Sequence, residues 1–149
     1  MPTEKQVLGE NGELLVIKNC SCPKCKKTHT LKRLPPNFKC ADIICDFCGY
    51  IAQVKTTSSK DINSLPSKII GAAWNVQKDR IDSSIYIPLF IVLYKSKLEF
   101  GIYYLSADLQ VPELFVPRTP LSGTAHRAGW QGFMYDLSKL KVNSIIRLK

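Results

Sequence analysis

The stretch Asn37–Lys55, NFKCADIICDFCGYIAQVK, decides how this chain is read. It sets a Cys-x-x-Cys pair, Cys45 and Cys48, between a run, Phe38–Ile44, that carries the single acid Asp42 and a run, Tyr50–Thr56, in which residue character alternates. Alternation of period two marks a strand with two different faces. The expectation is therefore a hairpin: strands Phe38–Ile44 and Tyr50–Thr56, with Cys45–Gly49 making the turn. In that hairpin Asp42 ends the first strand. Ala52 and Val54 point to one face, and Ile51, Gln53 and Lys55 point to the other.

A second pair, Cys22 and Cys25, lies upstream, with nineteen residues between Cys25 and Cys45. Paired knuckles at this separation fit a four-cysteine zinc site, because each supplies two soft ligands without strain and zinc takes four in a tetrahedron. Cys22, Cys25, Cys45 and Cys48 are the expected ligands, and Gly49 suits the tight turn after the last one. Cys20 and Cys40 are left over as small core residues, with Cys20 an alternative to Cys22. His29 is a further possible ligand but lies off the paired spacing. A closed four-thiolate site is structural, so zinc is not expected to be the catalytic ion.

Around this centre, Glu4–Lys18 reads as a helix despite Gly9 and Gly12. Cys20–Pro36 reads as a knuckle and a basic connection, and Thr57–Leu65 as a polar loop. A helix is expected from Pro66, with Ile70, Ala73, Trp74, Gln77 and Ile81 on one stripe. Ile85–Tyr94 and Leu98–Leu105 are expected as an antiparallel pair turning at Lys95-Ser96-Lys97. Ser106–Phe115 reads as a short helix, Arg118–Gly129 as a loop, Trp130–Leu137 as a closing strand, and Leu140–Lys149 as a short tail element. The fold class that follows is α+β: a mixed sheet with helices packed on it.

The 149 residues are one domain's worth of chain, and 45% apolar with 22% charged residues excludes a disordered polymer. A formal charge of +9 favours a polyanionic partner. Much of it is local: Lys18, Lys24, Lys26, Lys27, Lys32 and Arg33 fall in or beside the first knuckle. Met1–Val7 is too polar for a signal peptide, and Ile85–Tyr94 is too short for a membrane span. Six cysteines in a chain of that kind are expected as thiolates on metal rather than disulfides, and the expected location is cytoplasmic.

Asp42, Gln53 and Lys55 form the second constellation. Hydrolysing a phosphodiester requires a hard cation held by oxygens and a group that positions water. An aspartate and a side-chain carbonyl on neighbouring strands can hold magnesium, and a lysine two residues beyond the glutamine projects to the same side.

The run Cys22-Pro-Lys-Cys25, then Asn37 through Asp42 to Cys48, then Gln53-Val-Lys55, resembles the catalytic domain of DpnI and Dam-replacing type restriction endonucleases, within the PD-(D/E)xK nuclease superfamily. Arg118-Thr-Pro-Leu121 and Ala125-His-Arg127-Ala-Gly-Trp130 to Gly132 are similar to that family's closing loop and strand. The resemblance implies a restriction-endonuclease-like fold over 1–149, a single nuclease domain with zinc-binding knuckles embedded at 20–49 in the active-site hairpin. It further implies Asp42 as the metal aspartate and Lys55 as the catalytic lysine, with double-stranded DNA as partner. Gln53 stands where the family has glutamate, which removes one negative charge from the magnesium site. Glu10 or Glu13 on the first helix is the candidate to compensate. The winged-helix domain that reads methylated sequence in DpnI-type enzymes has no counterpart in the resemblance, so methyl-dependent specificity is not carried over.

Lys26, Lys27, Arg118, His126 and Arg127 are the candidate DNA contacts. The competing reading is a zinc-ribbon nucleic-acid-binding protein without chemistry, in which Gln53 records a lost active site.

Overall fold

The computed structural model describes Met1–Lys149. In chain order its elements are α1 (Glu4–Asn19), β1 (Leu31–Arg33), β2 (Ile43–Cys45), β3 (Ile51–Ser58), β4 (Lys68–Ala73), α2 (Trp74–Asp82), β5 (Leu89–Tyr94), β6 (Phe100–Leu105), β7 (Phe115–Pro117), β8 (Gly132–Asp136) and β9 (Ile146–Arg147). The chain packs as two units. One holds Met1–Leu65, Ile87–Ala107 and Ile145–Lys149; the other holds Pro66–Tyr86 and Asp108–Ser144.

The first unit is a mixed six-stranded sheet in the order β1-β2-β3-β5-β6-β9. The pair β3–β5 is parallel and every other neighbouring pair is antiparallel. A parallel pair needs a crossover rather than a hairpin, and segment 66–86 is that crossover. Helix α1 begins at Thr3, whose hydroxyl accepts from the Gln6 N–H while the Gln6 side chain accepts from the Thr3 N–H. It packs on β3, which is why a glycine is tolerated mid-helix: a Cβ on Gly12 would lie 1.7 Å from Thr56 Oγ1. Val16, Leu31, Ile43, Ala52, Val54, Phe90, Val92 and Ile102 form the buried core. Along β3 burial alternates, with Ala52 and Val54 inside and Ile51, Gln53 and Lys55 on the other face, as the sequence pattern requires.

The second unit is a three-stranded sheet, β4-β8-β7, with α2 against β4 and β8. Its core is aromatic: Phe133 meets Phe115 at 5.7 Å and Tyr135 at 5.0 Å, both edge-on.

Three expectations need correction. The helix expected from Pro66 begins only at Trp74, and Lys68–Ala73 is a strand. β-Branched Ile69 and Ile70 pair with Tyr135 and Met134, so Ile69 is buried at 3% exposure while Ile70 faces out at 51%. Gly71 leaves room for the Phe133 ring, which a Cβ would approach to 2.4 Å. The first hairpin strand is Ile43–Cys45, so Asp42 precedes it rather than ends it. Strand β1, inside the expected basic connection, supplies the outer partner of β2 through Leu31, Lys32 and Arg33. Ser106–Phe115 holds two short 3-10 turns, Ala107–Leu109 and Pro112–Leu114. The antiparallel β5–β6 pair follows the sequence reading, and β9 is the tail element.

Candidate metal centre and catalytic cleft

The β2–β3 hairpin turns at Cys45–Gly49, where Gly49 takes φ +78° and its N–H donates to the Cys45 carbonyl. The first knuckle closes in the same way, with the Lys26 N–H on the Cys22 carbonyl and the Cys22 N–H on the Lys27 carbonyl. These two local turns bring the four sulfurs of Cys22, Cys25, Cys45 and Cys48 within 4.8 Å of one another. Cys22 and Cys48 Sγ are 3.6 Å apart, and Cys25 and Cys45 Sγ are 3.7 Å apart. A tetrahedron with metal–sulfur bonds of about 2.3 Å has an edge of roughly 3.8 Å, so the spacing suits a thiolate-bound metal ion such as zinc.

Burial pushes the Cys45 thiol up, but the Thr30 hydroxyl and the N–H groups of Cys48 and Phe47 outweigh it and favour thiolate. Thr30 Oγ1 lies 3.2 Å from that sulfur. Cys20 is core: burial raises its thiol to about 11. Cys40 is exposed, and neither Cys40 nor His29 joins the cluster.

At the other end of the hairpin, Asp42 sits where β2 has not yet begun. Its N–H donates to the Ala52 carbonyl, and its Oδ2 accepts from the Val54 N–H at 2.7 Å. The carboxylate thus takes the place of a strand partner on β3. Burial pushes the Asp42 carboxyl above its ordinary value, while the Val54 N–H and the Lys55 charge pull it down. Lys55 is its electrostatic partner: burial lowers the ammonium pKa, and Asp42 opposes that. Gln53 Nε2 donates to the Cys40 carbonyl at 3.2 Å, tying the glutamine to the loop ahead of Asp42.

Glu10, Glu13 and Asp42 line one cleft of about 390 Å³ with Arg33 and the Pro35-Pro36 turn. Burial raises the Glu13 carboxyl, the Asp42 charge adds to that, and the Arg33 guanidinium opposes both. Arg33 reaches Glu13 at 3.1 Å and Glu10 at 3.3 Å. Carboxylates gathered against their own repulsion, Glu13 and Asp42 half-buried and Glu10 exposed, suit a hard cation with oxygen ligands. Arg33 is the cleft residue that sequence reasoning missed, since only folding brings β1 beside α1.

Lys26 and Lys27 are exposed on the first knuckle, where Lys27 Nζ stands 4.4 Å over the Phe47 ring. Arg118, His126 and Arg127 belong to the second unit and are exposed there. Arg127 covers Trp130 at 4.8 Å, and the Arg118 carbonyl accepts from Gln131 Nε2 at 2.7 Å.

A mixed sheet in an α+β chain, a helix laid across it and a four-cysteine cluster at the β2–β3 hairpin together define a restriction-endonuclease-like protein. More narrowly, a family model described as DpnI, Dam-replacing family, matches residues 4–148. The chain belongs to that family, one of restriction-type nucleases acting on DNA. No helix is long and apolar enough to cross a membrane.

Proposed function

We propose that this protein is a magnesium-dependent endodeoxyribonuclease of restriction type, with zinc as a structural staple and duplex DNA as substrate. The observation that carries the reading is the convergence of Asp42, Glu10 and Glu13 on one cleft, with Lys55 electrostatically coupled to Asp42. Asp42, the Gln53 side-chain oxygen and Glu13 or Glu10 would supply the oxygen ligands. Magnesium, when bound, supplies charge that polarises the phosphate and acidifies water. Asp42 is pinned by the Val54 N–H, so its second oxygen has a fixed direction. Lys55, at the third position on the same strand face, orients the attacking water, which forms the new P–O bond as the bond to the leaving sugar oxygen breaks. Glu10 and Glu13 offset the charge lost at Gln53, and Arg33 holds them until a cation competes.

Zinc on Cys22, Cys25, Cys45 and Cys48 would fix the turn of the hairpin whose strands carry these groups. Lys26 and Lys27, with Arg118, His126 and Arg127, are the proposed backbone contacts. The family match spans both units, which supports reading 1–149 as a single nuclease domain; its proposed location is the cytoplasm.

Duplex cleavage by purified protein that requires added magnesium or manganese, and disappears in Asp42→Ala, is the expected result. One observation favours the second reading, a zinc-stapled DNA-binding module without chemistry: Gln53 is uncharged and its amide is engaged by the Cys40 carbonyl. Salt-sensitive binding with no cleavage of modified or unmodified DNA, in wild type and Gln53→Glu alike, would establish that reading instead.

A further inference from the structure

The tip of the zinc hairpin presents a large apolar ring to water. Phe47, between the ligand cysteines Cys45 and Cys48, is 64% exposed. The turn beneath it is closed by the Gly49 N–H on the Cys45 carbonyl at 2.9 Å, so the ring is carried on a turn that the metal centre would hold rigid. The positive groups nearby belong to the facing knuckle: Lys24, Lys26 and Lys27 are all exposed, and the Lys27 ammonium lies over the ring at 4.4 Å. Lys26 adopts φ +66°, a conformation that the closing turn of the knuckle imposes. Asp46 is the one acid within the hairpin turn, and its N–H donates to the Thr30 carbonyl.

Leaving a phenyl ring in water costs free energy, and packing does not explain it here, since the core of this unit is complete without Phe47. A ring beside an ammonium matches the two halves of a nucleotide: a π face to stack on and a phosphate to pair with. A rigid turn suits this use, because little conformational freedom is lost when the base docks.

We infer that Phe47 is a base-stacking residue: it takes an unstacked DNA base while Lys26 and Lys27 hold the adjoining phosphates. This deepens the nuclease reading and rests on its choice of DNA as ligand. The site accepts a base that is single-stranded, bulged or at a frayed end, since a base within an intact stack has no open face.

The test compares zinc-loaded full-length protein on a short oligothymidine and on an abasic oligomer of equal length and charge, without added divalent cation. Wild type should bind the oligothymidine about 5- to 150-fold more tightly, the range for one aromatic–base stack. Phe47→Leu should bind both alike while keeping its zinc, and Phe47→Trp should keep the preference. Lys26→Glu with Lys27→Glu should weaken both oligomers by a common factor. A wild type that binds the two equally, or neither, overturns the inference, as does a preference that survives in Phe47→Leu. If Phe47→Leu loses zinc, the wild-type comparison and Phe47→Trp decide. Cleavage plays no part in these measurements. A protein that shows the base preference but never cuts DNA loses the nuclease reading alone, whereas one that cuts without the preference loses this inference alone.

Discussion

Asp42→Asn should stabilise the fold while abolishing cleavage. The native structure holds the Asp42 carboxylate at a cost: burial raises its pKa, and neither the Val54 N–H nor Lys55 fully compensates. Asp42 also raises the Glu13 carboxyl. Asparagine is nearly isosteric and can accept the 2.7 Å bond from Val54 N–H through its amide oxygen, so packing and that bond survive. Removing the charge relieves two carboxyls at once and takes from Lys55 only a partly exposed partner. Relief of a strained functional site is commonly worth about 0.5–2 kcal/mol. For a chain of this length that is a rise in Tm of roughly 1–8 °C. The pH dependence has a defined sign. A carboxyl with raised native pKa binds its proton more tightly when folded, so its contribution is fully present below the unfolded pKa and is lost as pH rises through the folded one. Stability of the wild type should therefore climb on acidifying from neutral towards the ordinary carboxyl values, 3.8 for aspartate and 4.5 for glutamate, until other carboxyls intervene. The Asp42→Asn curve should be flatter over that window. Thermal denaturation across pH, with and without magnesium, checks this. Magnesium should raise the wild-type Tm and leave the variant unmoved. An Asp42→Asn protein equal to or less stable than wild type at pH 7 would refute the electrostatic argument.

Cys45→Ser should lose the bound metal and unfold the hairpin, because metal-site formation is coupled to folding, whereas Cys20→Ser and Cys40→Ser should retain one zinc per chain by elemental analysis. Lys55→Ala should remove cleavage while DNA affinity by anisotropy stays near wild type, and Gln53→Glu should tighten magnesium binding in calorimetry and keep or raise the rate. Replacing Lys26 and Lys27 by glutamate should weaken duplex binding similarly on any sequence and flatten its dependence on salt. Gly12→Val should destabilise by at least about 1–3 kcal/mol in urea titration, since its side chain would collide with Thr56, and Thr56→Ala should recover part of the loss.

What the sequence determined by itself was whatever depends on near neighbours along the chain. The two Cys-x-x-Cys turns, the β2–β3 hairpin with Gly49 at its turn, the alternation of Ala52 and Val54 against Gln53 and Lys55, and helix α1 all follow from spacing and backbone preference. The tertiary structure alone decided what depends on partners distant in sequence. Strand β1 is three residues long, too short for any periodicity, and exists because Leu31, Lys32 and Arg33 find β2. Lys68–Ala73 carries residues compatible with a helical stripe, and pairing with β8 makes it a strand. Asp42 precedes β2 because its carboxylate, not its position in a ladder, satisfies the Val54 N–H. The pairing of Arg33 with Glu10 and Glu13 spans 23 and 20 positions of sequence. A charge pair of that range leaves no local pattern, since its energy arises only once helix and strand have packed and water has been drawn away from the cleft.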